Sequence, residues 1–315
     1  MKDPLLMNRL CQRLIWKDLD TAVLRQLIVS AREEDLKGYG LAKPISTSGD
    51  ISTQSLIPED ASLSGEAVLK AHTELTVCGL PLIPLILDVY SGDLRAPCGW
   101  HPLYQEGDML KVNAVIGTVR GPVTTLLQAE RLILNMLQRL SGIATYTARC
   151  VTALGDGGTR LLDTRKTIPG WRFLEKYAVA CGGGWNHRLG LFDRILIKDN
   201  HLAAIGATSG PALTQCIKRL RAEYPQQILE VEVDSFGMIE PVLAGGADIL
   251  LLDNFSLQDL RRAVALIGDR AYTEASGGVT LETLPSLGTS GLDFISCGAL
   301  THQSPWVDIG MDWRI

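Results

Sequence analysis

Basic residues directly follow two apolar runs in the middle of the chain. Residues 161–166 read Leu-Leu-Asp-Thr-Arg-Lys, and residues 195–198 read Ile-Leu-Ile-Lys. Arginine can bind a carboxylate through two parallel hydrogen bonds, whereas lysine supplies a mobile point charge. These residue types predict a binding site for a small ligand that carries several negative charges.

The charge of this segment is opposite to that of the whole chain. Residues 161–201 contain seven basic and four acidic residues, in a chain of net charge −5. A local positive island suits an anionic small molecule, whereas general nucleic-acid binding requires a broad basic surface that this acidic chain lacks. For Arg172 and Lys176, a solvated helix face is as good an interpretation as a ligand site.

Two carboxylates and two glycine-containing turns follow later apolar runs. Glu232 and Asp253 each end such a run and are 21 residues apart, so one strand-helix unit would place them on neighbouring strands. They could hold Mg²⁺, which commonly takes one or two protein carboxylates, or act as a general acid/base pair. Residues 276–278 (Ser-Gly-Gly) and Gly298 could offer backbone N–H groups to a phosphate, or form simple turns.

Short strands joined by helices would position these residues. Six apolar runs end near the markers Asp163, Lys198, Glu232, Asp253, Ala275 and Cys297, which are separated by 35, 34, 21, 22 and 22 residues. Such spacing predicts parallel strands with intervening helices. Because every run ends in polar residues, we expect an α/β barrel rather than an open sheet with one switch point.

The first part of the chain has a mixed pattern. Apolar and polar residues alternate from Leu110 to Ile116, which predicts a strand. After Gly121-Pro122, an apolar stripe that runs to Val151 predicts a long helix. Arg131 lies on a different face of this helix, and by pattern alone it is a solvent-exposed residue.

Six motifs in one order give the sequence a specific resemblance. They are residues 163–170, 175–179, 182–188, 197–201, 230–234 and 252–254. Together they resemble the quinolinate phosphoribosyltransferases, and the resemblance extends from about Gln128 to Gly310. Several ordered motifs are far more specific than any one of them.

The resemblance implies a fold of class α/β: an incomplete α/β barrel of the type II phosphoribosyltransferases with a smaller N-terminal α/β sandwich domain. The expected domains are residues 1–130 joined by 301–315, and residues 131–300. The family forms homodimers. An insertion within residues 38–49 departs from the family pattern, and Trp171 and Trp185 could either narrow the pocket or pack beneath it.

The resemblance also implies a reaction. Quinolinate and phosphoribosyl pyrophosphate would give nicotinate mononucleotide, pyrophosphate and carbon dioxide with Mg²⁺, as in de novo NAD biosynthesis. The expected quinolinate ligands are Arg165, His187, Arg188, Lys198 and, from another subunit, Arg131. The expected phosphoribosyl pyrophosphate ligands are Lys166, Asn254, Ser276, Gly277, Gly278, Gly298 and His302. Glu232 and Asp253 would hold the metal and, with Lys166, form the catalytic set.

Three other functions remain open at this point. A related transferase of molybdate-uptake gene clusters would use another substrate, an aldolase-like barrel would use Lys166 or Lys198 as a Schiff-base nucleophile, and a sensor would bind without turnover. The seven scattered cysteines, an odd number, and the absence of a secretory signal pattern predict a cytoplasmic protein with no membrane or nucleic-acid partner.

Overall fold

The computed structural model describes residues 2, 4–43, 46–58, 63–92 and 98–314. The helices are α1 (Pro4–Leu10), α2 (Thr21–Lys37), α3 (Ile51–Leu56), α4 (Leu82–Ser91), α5 (Val123–Leu154), α6 (Arg172–Cys181), α7 (Asp199–Ala204), α8 (Gly210–Glu223), α9 (Phe236–Gly245), α10 (Leu257–Ile267), α11 (Leu284–Gly288) and α12 (Ala299–His302). The strands are β1 (Ser64–Ala71), β2 (Leu75–Thr76), β3 (Gly99–Pro102), β4 (Met109–Leu110), β5 (Val115–Pro122), β6 (Arg160–Leu162), β7 (Ile195–Ile197), β8 (Leu229–Val233), β9 (Ile249–Asp253), β10 (Tyr272–Ser276), β11 (Phe294–Ser296) and β12 (Ile309–Arg314). Among the helices of these residues, none combines the length and the apolar character needed to cross a membrane.

The chain divides into two compact units. The barrel unit comprises Met1–Arg13 and Tyr146–Ser304, and the sandwich unit comprises Leu14–Thr145 and Pro305–Ile315. Helix α5 begins in the sandwich unit and ends in the barrel unit. These bounds differ from the expected 1–130, 131–300 and 301–315, because the first residues of the chain belong with the barrel and one helix serves both units.

The sandwich unit contains a four-stranded antiparallel sheet in the order β12-β1-β5-β3. The last strand of the chain therefore completes a sheet built from N-terminal strands. The long helix expected after Gly121-Pro122 is present as α5. Its stripe of buried residues, which includes Ile133 and Leu140, explains why the apolar periodicity is so regular.

The prediction of a single strand from Leu110 to Ile116 is wrong. Strand β4 ends at Leu110 and strand β5 begins at Val115, with a turn between them. Asn113 in that turn has φ 66°, and its N–H donates to the Ala71 carbonyl at 2.7 Å. Left-handed backbone does not continue a strand, so the alternation came from two strands that flank a turn.

Six parallel strands form the barrel sheet, in the order β6-β11-β10-β9-β8-β7. The strand positions expected from the six apolar runs are confirmed. Strands β6 and β7 do not pair with each other; instead, Leu162 of β6 bridges to Trp185. The sheet is therefore an incomplete barrel, as expected for this fold class, and the break lies between its first two strands.

Helix α1 packs at the amino ends of the barrel strands. Leu10, 1% exposed, lies in one apolar cluster with Ile249, Tyr272 and Phe294, which begin three successive strands. Leu6 and Met7 pack against the same cluster. Apolar side chains therefore fill the end of the barrel that is opposite to the polar strand ends.

We predict that Leu10→Ala destabilises the barrel unit by about 2–5 kcal/mol, because it removes a buried side chain and leaves a cavity. The matched control is Leu5→Ala in the same helix, since Leu5 is 73% exposed and should change stability by less than about 0.5 kcal/mol. Urea denaturation measures both changes. Equal effects of the two variants would show that α1 does not close the barrel.

Candidate active site

A cavity of about 770 Å³ lies at the carboxyl ends of the barrel strands. The register of the parallel strands brings their carboxyl ends to the same edge of the sheet. Glu232 of β8 pairs with Leu251 of β9, and Asp253 of β9 pairs with Ser276 of β10. The residues that line the cavity include all the predicted site residues of the barrel unit: Arg165, Lys166, His187, Arg188, Lys198, Glu232, Asp253, Asn254, Ser276, Gly277, Gly278, Gly298 and His302. The sequence pattern and the family resemblance together thus located one continuous site, while the role of each residue in it stays a prediction.

Two guanidinium groups form the cationic wall of the cavity. Burial and the nearby charge of Arg165 lower the pKa of Arg188 below its ordinary value. The Nε–H of Arg165 is buried and has no acceptor among the described residues. Buried donors are normally paired, so this unsatisfied N–H and the mutual repulsion of the two cations both favour an anionic ligand at this wall.

Glu232 and Asp253 form an acidic pair on neighbouring strands. Burial raises the pKa of Asp253, and the negative charge of Glu232 raises it further. Asn254, with φ 55°, donates its side-chain N–H to Asp253 Oδ2 at 2.7 Å. Since the charge of Glu232 disfavours that of Asp253, a divalent cation with oxygen ligands would relieve the repulsion, and the pair fits Mg²⁺ in this respect.

Lys198 lies between the cationic and acidic parts of the cavity. Its ammonium group forms an ion pair with Glu232, and 46% of its side chain is exposed. The expected contact of Lys198 with a substrate carboxylate would therefore compete with this ion pair.

Glycines keep the opposite wall open. A Cβ atom on Gly277, whose φ is 94°, would lie 2.3 Å from Asn254 Oδ1. A Cβ atom on Gly298 would lie 2.8 Å from the Lys166 side chain and 3.1 Å from His302 Nε2. Only glycine fits at these two positions without displacing a neighbouring side chain of the site.

His187 connects the cavity to buried acids inside the barrel. Its Nε2 lies 3.4 Å from Glu230 of β8 and 3.3 Å from Glu274 of β10, and both carboxylates are fully buried. Its Nδ1 accepts the backbone N–H of Arg188 at 2.7 Å, so the neutral ring carries its proton on Nε2. The charged ring carries a proton on Nδ1 as well and gives up this bond. Burial opposes the charge of His187, but the two carboxylates outweigh burial and raise its pKa to about 9.

Glu274 and Arg194 are site-supporting residues that the sequence reasoning missed. Arg194 donates to Glu230 at 3.0 Å, and neither oxygen of Glu274 has a hydrogen-bond partner among the described residues. The sequence feature that could have identified Glu274 is its position as an acidic residue inside a predicted apolar strand, residues 271–275. Apolar periodicity does not show that such a residue points into the barrel.

The two tryptophans of uncertain role lie outside the cavity lining. Trp185 packs against the apolar cluster at the amino ends of the strands. The Arg13 guanidinium lies 3.9 Å from its ring centroid, and that of Arg160 lies 5.1 Å away. Trp185 therefore packs beneath the site and does not narrow it. Trp171 directly precedes helix α6 and is partly buried.

Arg131 differs from the other predicted site residues. It is exposed on helix α5, within the part of that helix that belongs to the sandwich unit. Its contribution to a site of another subunit stays a prediction.

Comparison with known proteins gives family matches over most of the chain. Residues 143–312 match the C-terminal domain of quinolinate phosphoribosyl transferase, and residues 50–141 match the N-terminal domain. The chain is 41% identical over 264 residues to a probable nicotinate-nucleotide pyrophosphorylase [carboxylating] of Bacillus subtilis, covering 84% of this chain and 88% of the relative. It is 38% identical over 301 residues to the nicotinate-nucleotide pyrophosphorylase [carboxylating] of Mycobacterium leprae, covering 94% and 99%.

Solved structures show the same similarity. The nicotinate-nucleotide pyrophosphorylase of Francisella tularensis superimposes with a TM-score of 0.82 at 31% identity, covering 96% of this chain and all of that chain. The similarity therefore includes both units.

We predict that His187 makes the stability of the protein fall at alkaline pH. Its pKa is raised from 6.5 to about 9 in the folded chain, so its contribution is present below pH 6.5 and is lost as the pH rises through about 9. The loss is at most about 3 kcal/mol. Urea denaturation at pH 6 and pH 9.5 should show a larger decrease for the wild type than for His187→Gln.

The matched control for this measurement is His101→Gln, which removes an exposed histidine and should retain the wild-type decrease. Parallel pH profiles of the wild type and His187→Gln would contradict the proposed charge on His187.

Proposed function

Because this chain belongs to the quinolinate phosphoribosyltransferase family, we propose that it transfers phosphoribosyl from phosphoribosyl pyrophosphate to quinolinate, with loss of carbon dioxide. The products are nicotinate mononucleotide, pyrophosphate and CO₂, which is a step of de novo NAD biosynthesis. The observation that carries the proposal is the buried Nε–H of Arg165, which has no acceptor among the described residues, in a cavity that a second guanidinium, that of Arg188, also lines.

Quinolinate has two adjacent carboxylates, and the cationic wall offers two arginines. Each guanidinium can bind one carboxylate through paired hydrogen bonds, so Arg165 and Arg188 together select a dicarboxylate. The buried Nε–H of Arg165 would gain its missing acceptor. His187 lies next to Arg188 at the base of the cavity and adds a polar contact there.

Phosphoribosyl pyrophosphate would occupy the other side of the cavity. We place its phosphates against Lys166, His302 and the glycines of residues 277, 278 and 298, where a substrate can approach the backbone closely. Glu232 and Asp253 would hold Mg²⁺ with the ribose hydroxyls. When bound, Mg²⁺ offsets negative charge on the pyrophosphate leaving group.

The reaction begins when the bond between ribose C1 and pyrophosphate breaks and its electron pair leaves with pyrophosphate. Positive charge then develops at C1, where the carboxylates of the acidic pair stabilise it. The pyridine nitrogen of quinolinate donates its lone pair to C1. The resulting positive nitrogen accepts electron density as the adjacent carboxylate leaves as CO₂, and that ring carbon then takes up a proton. The chain itself binds, orients and stabilises charge.

We propose further that the enzyme is a cytoplasmic homodimer. An exposed arginine on α5, Arg131, would enter the site of the partner subunit and add a third cation to the quinolinate side. The arginine matches the family motif in the sequence, and its exposure leaves it available for such a contact. The cytoplasmic location rests on the pattern of cysteines in the sequence.

The other functions considered from the sequence are not favoured. Lys198 is paired with Glu232, whereas a Schiff-base nucleophile requires an unprotonated lysine. A transferase whose substrate lacks two adjacent carboxylates would not need both Arg165 and Arg188 in its cavity. A sensor without turnover would not need the acidic pair beside the phosphate side.

We predict that the purified protein converts quinolinate and phosphoribosyl pyrophosphate into nicotinate mononucleotide when Mg²⁺ is present. Chromatography of the products and release of CO₂ from carboxyl-labelled quinolinate measure the reaction. Chelation of Mg²⁺ should abolish turnover, because no cation held by Glu232 and Asp253 would then offset the negative charge of the leaving pyrophosphate. Absence of product under saturating conditions would refute the proposed function.

We predict that Arg165→Ala raises the KM for quinolinate by about a hundredfold, since it removes a bidentate charged contact worth about 3 kcal/mol. The KM for phosphoribosyl pyrophosphate should change by less than about threefold. The matched control is Arg219→Ala on helix α8, an exposed arginine outside the cavity lining. Similar changes in both KM values would show that Arg165 does not select quinolinate.

A further inference from the structure

A fully buried lysine lies directly behind the cationic wall. Lys176 on helix α6 has no exposed side-chain surface, and its Nζ lies 2.5 Å from Oδ1 of Asp163, which is equally buried. Lys176 does not line the cavity. It is therefore neither a solvated surface residue nor a ligand of the substrate, the two interpretations that the sequence left open.

This ion pair joins three segments of the barrel unit. Asp163 follows strand β6 and accepts hydrogen bonds from the backbone N–H of His187 and from the side chain of Asn186, both at 2.8 Å. Lys176 Nζ donates to the His187 carbonyl at 3.1 Å, and the Asn186 side chain donates to the Lys176 carbonyl at 2.8 Å. Both backbone polar groups of His187 are thus held by the buried pair.

The residues held in this way are close in sequence to Arg165 and Arg188, the proposed ligands of the quinolinate carboxylates. Arg165 is two residues after Asp163, and Arg188 directly follows His187. Both guanidiniums line the same cavity. Burial lowers the pKa of Arg188, and the nearby charge of Arg165 lowers it further. The backbone bridge between Leu162 and Trp185 links the two segments. At His187, the residue before Arg188, the link runs through the side chains of Asp163 and Lys176.

We propose that Lys176 is a positioning residue for quinolinate binding: together with Asp163, it holds the two arginine-bearing segments at the spacing of two adjacent carboxylates. This inference rests on the proposed function. Lys176 acts through the backbone of His187 and does not touch the substrate.

The charges of the pair explain why the lysine cannot be replaced alone. Burial raises the pKa of Asp163 and lowers that of Lys176, and each is opposed mainly by the charge of the other. Removing one partner leaves an uncompensated buried charge, whereas removing both leaves a neutral core. A double variant therefore separates the effect on folding from the effect on positioning.

The test compares Lys176→Met with the double variant Asp163→Asn/Lys176→Met. The single variant should melt about 10 °C or more below the wild type, and the double variant should recover much of that loss. In the double variant, the amide oxygen introduced at position 163 can still accept the His187 N–H. The bond to the His187 carbonyl is gone, and so is the acceptor that Asp163 Oδ2 offered to the Asn186 side chain. We expect its quinolinate KM to rise by about tenfold or more, with the phosphoribosyl pyrophosphate KM changed by less than about threefold.

The matched control is Lys218→Met, an exposed lysine on helix α8, which should keep the wild-type KM for both substrates. A folded double variant with the wild-type quinolinate KM would overturn the proposal, because Lys176 would then serve stability alone. A rise of both KM values to the same extent would overturn it as well.

The same experiment distinguishes failure of the positioning role from failure of the proposed function. In that case the wild-type protein itself would form no nicotinate mononucleotide. A wild type that turns over quinolinate, beside a double variant with an unchanged KM, rejects the positioning role only.

Discussion

The placement of two guanidiniums, those of Arg165 and Arg188, in the lining of one cavity is the constraint on which the site depends. Burial lowers the pKa of Arg188, and the nearby positive charge of Arg165 lowers it further. Such an arrangement is unfavourable without a ligand, so the surrounding structure must hold it. A dicarboxylate that binds there gains two charged contacts and removes the repulsion at the same time.

The barrel supplies the support through charges that never reach the cavity surface. Asp163 and Lys176 fix the backbone on both sides of His187, while Glu230 and Glu274 lie beneath its ring. On the opposite side of the site, Glu232 and Asp253 concentrate negative charge at neighbouring strand ends. The cavity thus has a cationic part and an acidic part.

The sequence predicted the strand ends well and the interior poorly. Apolar runs that end in polar residues located all six barrel strands, since buried parallel strands are mostly apolar and the chemistry lies at their carboxyl ends. The same patterns did not identify Lys176 or Glu274 as buried, because a charged residue is buried only when a distant segment supplies a partner. They also merged β4 and β5, since alternation does not reveal the left-handed turn at Asn113.

The most direct test of the central claim is a crystal structure of the protein with quinolinate bound. The account predicts that one carboxylate lies about 3 Å from the Arg165 guanidinium, including its Nε, and that the other lies equally close to Arg188. The spacing of the two arginines should be the same with and without the ligand. Quinolinate carboxylates bound away from both arginines would contradict the account.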